Sequence, residues 1–260
     1  MHRFVRIVPL VMVLLLAAGC ASTQEDPTKS WSAQRLYSEG KEALTKGNYA
    51  NAIKFFESLE ARYPYGAYSE QAQLEVAYAY YKDQEMASAV AAADRFIRLH
   101  PTHKNVDYAF YLKGLASIDE ERNFLEAFLT DIDLSDRDPK ALRAAYDTFR
   151  ELVQRFPNSK YAEDSRLRMA YLVNSLAQGE IHAAKFYFER GAYVASVNRC
   201  KEVIERYQGT AAIEDALGIQ AKAYKKMGLD QLMEDSLRVL QTNFPNSKYL
   251  KEVAALSAKG

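Results

Sequence analysis

The 260-residue chain has little of what most chemistry requires. It holds two cysteines and four histidines. Two cysteines make no disulfide framework. His2, His100, His103 and His182 show no metal-ligand spacing, and no cluster of cysteines or carboxylates stands beside the His100–His103 pair. A glycine-rich phosphate loop, a His-Glu-x-x-His metal site and a Gly-x-Ser-x-Gly turn are all missing, so no motif supports a nucleotide-binding enzyme, a metallohydrolase or a serine hydrolase. A charge excess is missing too, with 34 basic and 34 acidic residues. Nucleic acid favours a basic footprint, so it is not an expected partner. The expectation is a protein that is no enzyme and holds no metal or diffusible cofactor.

Repetition is what the chain does have. Phe156-Pro157-Asn158-Ser159-Lys160-Tyr161 returns unchanged as Phe244-Pro245-Asn246-Ser247-Lys248-Tyr249, with looser versions at Arg62-Tyr63-Pro64-Tyr65 and Leu99-His100-Pro101-Thr102. An aromatic-proline pair stops a helix, because proline lacks an N–H and its ring clashes with the preceding turn. Asn158, Ser159, Asn246 and Ser247 can then accept bonds from the free N–H groups of the next helix. Small residues recur at Gly40, Ala77 and Gly114 in steps of 37, and at Ala184 and Ala221 with the same spacing. They let paired helices approach closely, with Phe56 and Phe149 filling the space between. The pattern resembles the tetratricopeptide repeat, a helix-turn-helix unit with small, aromatic and proline positions.

That resemblance implies an all-α solenoid of five helix-turn-helix repeats, at about 33–64, 69–101, 106–157, 161–208 and 211–245. An insertion of about 122–139 interrupts repeat three, and a short helix from Lys248 caps the stack, as solenoid ends require. Cys200 falls on a second helix where an apolar residue is expected, and reads as a buried, inert thiol.

Residues 1–19 read as a signal peptide. Arg3 and Arg6 precede an apolar run of 12 residues, Ile7–Ala18, too short to span a bilayer permanently. The run ends in Leu16-Ala17-Ala18-Gly19-Cys20, which resembles the bacterial lipobox. The resemblance implies that Cys20 becomes the mature N-terminus, bearing a covalent N-acyl chain such as palmitate and an S-diacylglycerol. Ala21, in place of a retention aspartate, implies sorting to the outer membrane. Residues 20–32 read as a polar tether.

In a tetratricopeptide array the first helices line the concave face. The groove-facing positions then include Tyr37 from repeat one, Leu74, Tyr78 and Tyr81 from repeat two, and Tyr108 and Tyr111 from repeat three. Repeat five supplies Asp215, Gly218, Lys222, Lys225 and Lys226 instead, so the two ends are expected to do different work. The Lys/Asn clamp that grips chaperone C-termini in some tetratricopeptide proteins is missing.

A narrower resemblance rests on Tyr78-Ala79-Tyr80-Tyr81-Lys82, on Asp94 to His103, on Ser135-Asp136-Arg137-Asp138-Pro139 and on Glu189 to Arg199. These segments are similar to those of the BamD family, the tetratricopeptide lipoproteins of the outer-membrane β-barrel assembly machine. The resemblance implies a lipid-anchored scaffold on the periplasmic face of the outer membrane. Its C-terminal repeats would dock the periplasmic domains of BamA and contact BamE, with BamC along the surface. Its N-terminal repeats would receive unfolded outer-membrane β-barrel proteins through their C-terminal strand. Arg190 and Arg199 are implied to face the BamA region. Two other readings stay open on the sequence: a periplasmic scaffold for cell-wall enzymes, and a peptidoglycan-binding protein.

Overall fold

The computed structural model describes residues 27–118 and 139–257. Cys20 and the expected insertion up to residue 138 lie outside the described residues. Those described form helices joined by turns, with no strand among them. The helices follow in pairs: α1 (Ala33–Thr45) with α2 (Tyr49–Arg62), α3 (Ala67–Lys82) with α4 (Met86–Leu99), α5 (Val106–Ser117) with α6 (Pro139–Arg155), α7 (Ala162–Glu189) with α8 (Tyr193–Arg206), and α9 (Ala212–Lys226) with α10 (Asp230–Asn243). A last helix, α11 (Lys248–Ser257), packs mainly on α9. None of the described helices is long and apolar enough to cross a membrane.

The proline markers end helices in the expected way. α2, α4, α6 and α10 each stop two residues before Pro64, Pro101, Pro157 and Pro245. In each, the residue before proline still donates its N–H back into the helix, from Tyr63 to Leu59 and from Phe244 to Leu240, for example. The two identical hexapeptides then build the same turn. Ser159 Oγ accepts from the Tyr161 N–H at 3.1 Å, and Ser247 Oγ accepts from the Tyr249 N–H at 3.3 Å. The serines, rather than Asn158 and Asn246, make these bonds.

The small-aromatic pairs fix how closely the helices of a pair approach. A Cβ on Gly40 would stand 2.6 Å from the Phe56 ring, and one on Gly114 would stand 2.5 Å from the Phe149 ring. Both phenylalanines are fully buried. The core is divided rather than continuous. The two largest of its clusters centre on Leu36, Phe56, Leu59, Val76 and Leu112, and on Phe149, Leu172, Ile181, Cys200 and Leu240. Such division follows when each unit packs only on its neighbours. Cys200 is buried, and burial pushes its thiol up to about 12, so the inert reading fits.

First helices of successive pairs also touch one another: α1 with α3, α3 with α5, α7 with α9. The backbones of α5 and α7 make no comparable approach. Aromatic side chains fill that junction instead.

Candidate functional site

The first helices carry a band of tyrosines from α1 to the start of α7. Tyr37, one turn before Gly40, leans on Phe56 with ring centroids 5.9 Å apart and on Tyr68 at 5.5 Å. Its hydroxyl lies beside Glu75, whose carboxylate also receives Lys41 Nζ at 2.6 Å. Burial first, then the Glu75 charge, raises the Tyr37 pKa. Tyr78 and Tyr81, on α3, are half-buried: they rest on the core and keep part of each ring in solvent.

Tyr108 sits deeper in the same band. Burial raises its pKa, and Tyr78, Tyr161, Glu75 and Tyr81 around its hydroxyl push the same way. Tyr111 stacks on Tyr161 with centroids 4.7 Å apart and planes 17° from parallel. Its hydroxyl donates to Asp164 Oδ2 at 2.8 Å, and Asp164 is paired with Arg168 on the next turn of α7. Burial and the Asp164 carboxylate outweigh Arg168 and push the Tyr111 phenol up to about 12.

Five of the six expected groove positions therefore share one face: Tyr37, Tyr78, Tyr81, Tyr108 and Tyr111. Leu74 lies beneath that face: it is 7 % exposed and packed with Phe96 and Ala109, and Tyr108 rests on that cluster. The reason is its place between α3, α4 and α5, where an aliphatic side chain closes the core between two pairs rather than facing solvent. Tyr111 is also less free than the sequence suggests, because its ring is stacked on Tyr161, just before α7, and its hydroxyl is bonded to Asp164 on α7.

Sequence reasoning missed Glu75, Tyr68, Tyr161 and Asp164. A signal for two of them was in the register. Tyr68, Tyr161 and Tyr249 each stand four residues after a marker proline. Each ring covers the preceding first helix: Tyr68 on Tyr37, Tyr161 on Tyr108 and Tyr111, Tyr249 on Gly218.

The band combines apolar rings with hydroxyls and one carboxylate–lysine pair. Tyrosine supplies large contact area at low conformational cost and keeps a hydrogen-bonding tip. Such a face suits an extended peptide whose side chains alternate apolar and polar.

Arg190 and Arg199 are placed separately. Arg190 caps the C-terminus of α7, exposed, with its guanidinium 4.3 Å over the half-exposed Phe186 ring. Arg199, on α8, reaches back to Glu180 at 3.1 Å and borders a cleft of about 200 Å³ with Leu142, Leu176 and Gly179. Neither touches the tyrosine band.

The family model described as "YfiO: Outer membrane lipoprotein" matches residues 29–240. A protein of Neisseria gonorrhoeae named "Outer membrane protein assembly factor BamD" is 50% identical over 232 residues, which is 89% of this chain and 86% of the relative. The protein of that name from Neisseria meningitidis serogroup B (strain MC58) is 47% identical over 254 residues, 97% of this chain and 95% of the relative. That of Vibrio cholerae is 42% identical over 233 residues, 90% and 96%. The chain belongs to the YfiO family of outer membrane lipoproteins, the family of the assembly factor BamD.

Proposed function

We propose that this chain is a non-catalytic subunit of outer-membrane β-barrel protein assembly, held at the periplasmic face of the outer membrane by lipid on Cys20. Its tyrosine face receives the C-terminal strand of unfolded barrel proteins. Its C-terminal pairs dock the partner subunits: the periplasmic domains of BamA through Arg190 and Arg199, BamE beside them, and BamC along the surface. Membership of the family supports the assembly role over a cell-wall scaffold or a peptidoglycan binder. The observation that carries the substrate reading is the half-buried pair Tyr78 and Tyr81, anchored below and open above, beside the Lys41–Glu75 pair. Barrel C-terminal strands alternate apolar residues and end in an aromatic, which matches rings interleaved with hydroxyls.

The test is photocrosslinking to a barrel C-terminal peptide. Crosslinkers at Tyr37, Tyr78 and Tyr81 should capture the peptide, and one at Tyr187 on α7 should not. Crosslinks arising only from the fourth and fifth pairs would defeat the assignment. For docking, reversing both Arg190 and Arg199 to Glu should weaken the BamA complex and leave helicity unchanged; unchanged binding at physiological salt removes that part.

A further inference from the structure

The tether is fastened to the body before it enters α1. Arg62 Nη2 donates to Thr28 Oγ1 at 2.9 Å, and Arg62 Nη1 donates to the Thr28 carbonyl. The Tyr63 hydroxyl donates to the Trp31 carbonyl at 3.0 Å. Trp31 stacks on Phe55 at 5.7 Å, with the Arg35 guanidinium 4.2 Å from the centre of the indole. The chain is thus fixed from Thr28 onward. Cys20 stands eight residues earlier. Eight extended residues span at most about 29 Å. A lipid on Cys20 keeps this end of the solenoid within that reach of the bilayer.

Paired helices run in opposite directions, so the turns from one pair to the next share an edge with the tether. Turns within pairs lie at the other edge. The two edges differ in composition. Glu25 and Asp26 stand in the tether just before it meets the body; from there on, residues 27–32 and the inter-pair turns 63–66, 100–105, 156–161, 207–211 and 244–247 contain no aspartate or glutamate, and they carry Lys29, Lys104 and Lys160. The described turns of the other edge, 46–48, 83–85, 190–192 and 227–229, balance Asp83 and Glu85 against Lys46 and Arg190 and hold no aromatic residue.

Most aromatics on the first edge have structural work. Tyr207 is buried, and Phe156 and Phe244 pack against the core. Tyr65 has none: its ring is 91% exposed. Tyr63 and Leu99 beside the first two turns are exposed as well. Tyr63 touches the tether at Trp31, while Tyr65 and Leu99 border the first two inter-pair turns. Tyrosine favours the headgroup layer of a bilayer, with its ring toward the acyl boundary and its hydroxyl in water. Lysines beside it meet anionic headgroups favourably, and an acidic residue there would be repelled.

We propose that the edge formed by the tether and the first two inter-pair turns rests on the headgroups of the membrane that holds the anchor. Tyr65 and Leu99 enter the interfacial layer, Tyr63 keeps its bond to Trp31 at the boundary, and Lys29 and Lys104 face lipid phosphates. The helices of the first two pairs then stand on the membrane, and the tyrosine face opens sideways along it. An unfolded barrel strand would reach the groove without leaving the membrane surface. This rests on the acylation of Cys20 proposed above.

The test uses the full-length mature chain, reconstituted in vesicles of phosphatidylethanolamine and phosphatidylglycerol. With Cys20 acylated and Cys200 buried, a bimane label can be placed selectively at Thr102→Cys on this edge or at Asp83→Cys on the other. The label at 102 should shift to the blue and lose fluorescence to a headgroup-level spin-labelled lipid; the label at 83 should do neither. Adding Tyr65→Ala should restore much of the lost fluorescence at 102 with helicity unchanged. Equal quenching at both positions, no quenching at 102, or no response to Tyr65→Ala overturns the proposal. So does a blue shift that needs an added periplasmic protein rather than vesicles, which would make the edge a protein-docking surface. Mass spectrometry of the same sample separates the two failures. An acylated Cys20 with an unquenched label at 102 defeats the edge alone, and a mature N-terminus without acyl chains defeats the anchor and this inference with it.

Discussion

Tyr161 and Tyr249 close the same six-residue sequence and build the same serine-bonded turn, yet they meet different surfaces. Tyr161 lands on two tyrosines, Tyr108 and Tyr111. Tyr249 lands on Gly218, where a Cβ would stand 2.0 Å from its ring, and donates its hydroxyl to Asp215 Oδ1 at 2.7 Å. Around Tyr161 the face is aromatic. Around Tyr249 it is ionic, with Lys222 bonded to Glu252 at 2.7 Å and Lys185 3.9 Å from Asp215. The marker thus fixes the backbone and delivers one ring. The residues three and six places before the small residue of the preceding first helix decide what surface that ring helps to build. One repeat frame thereby carries two chemistries, an aromatic N-terminal face and a charged C-terminal one.

The frame itself should be the most sensitive part. Phe149→Ala and Phe56→Ala each empty a fully buried site beneath a glycine, and each should cost about 3–5 kcal/mol of unfolding free energy in urea melts. A much smaller loss at either site would mean that the close approach of paired helices does not depend on the aromatic.

Gly218→Ala should cost about 1–3 kcal/mol, since the Tyr249 ring occupies the space of the added methyl. That variant breaks the comparison on its C-terminal side only, so the apparent affinity of a barrel peptide should stay unchanged.

Removing one hydroxyl at a time sharpens the contrast. Tyr249→Phe loses a bond to a carboxylate and should cost about 1.5–3 kcal/mol. Tyr161 acts through stacking and makes no hydroxyl bond among the described residues, so Tyr161→Phe should stay within about 0.5 kcal/mol of the parent. Equal costs for the two would show that the copies are used alike.

A further effect is expected only at alkaline pH. The Tyr111 phenol, near 10 when unfolded, is raised to about 12 in the fold. A raised folded value contributes stability that is complete below pH 10 and is lost as pH climbs toward 12. Tyr111→Phe should therefore flatten the fall in stability across that window, as read from denaturant melts paired with tyrosinate absorbance. An unchanged slope would mean that Tyr111 titrates as it does in water.

The helical frame was legible because its signals are local. Proline stops a helix wherever it stands, and glycine opposite phenylalanine sets a close approach, so Pro64, Pro101, Pro157 and Pro245 and the pairs Gly40–Phe56 and Gly114–Phe149 could be read from spacing alone. The face was legible in part. Register put Tyr37, Tyr78, Tyr81, Tyr108 and Tyr111 on one side, but it could not show that Leu74 would be covered by the neighbouring pair. Burial at that position depends on Phe96 and Ala109, brought from two other helices. Tyr161 and Asp164 escaped for the same reason: they belong to the fourth pair by sequence and to the third pair's face by contact. Glu75 faces the Lys41 of another repeat, a pairing 34 residues apart that no helical spacing announces.

The central claim is that the aromatic half of the frame binds peptide and the ionic half does not. The most direct measurement is the affinity of a barrel C-terminal peptide for the parent chain and for Tyr78→Ala, Tyr81→Ala and Tyr187→Ala, each checked for unchanged helicity. Loss of an anchoring aromatic costs about 2 kcal/mol or more, roughly a thirtyfold weakening. Tyr78→Ala or Tyr81→Ala should show it, and Tyr187→Ala should bind like the parent. Parent-like binding by both groove variants, with weakening confined to Tyr187→Ala, would contradict the account.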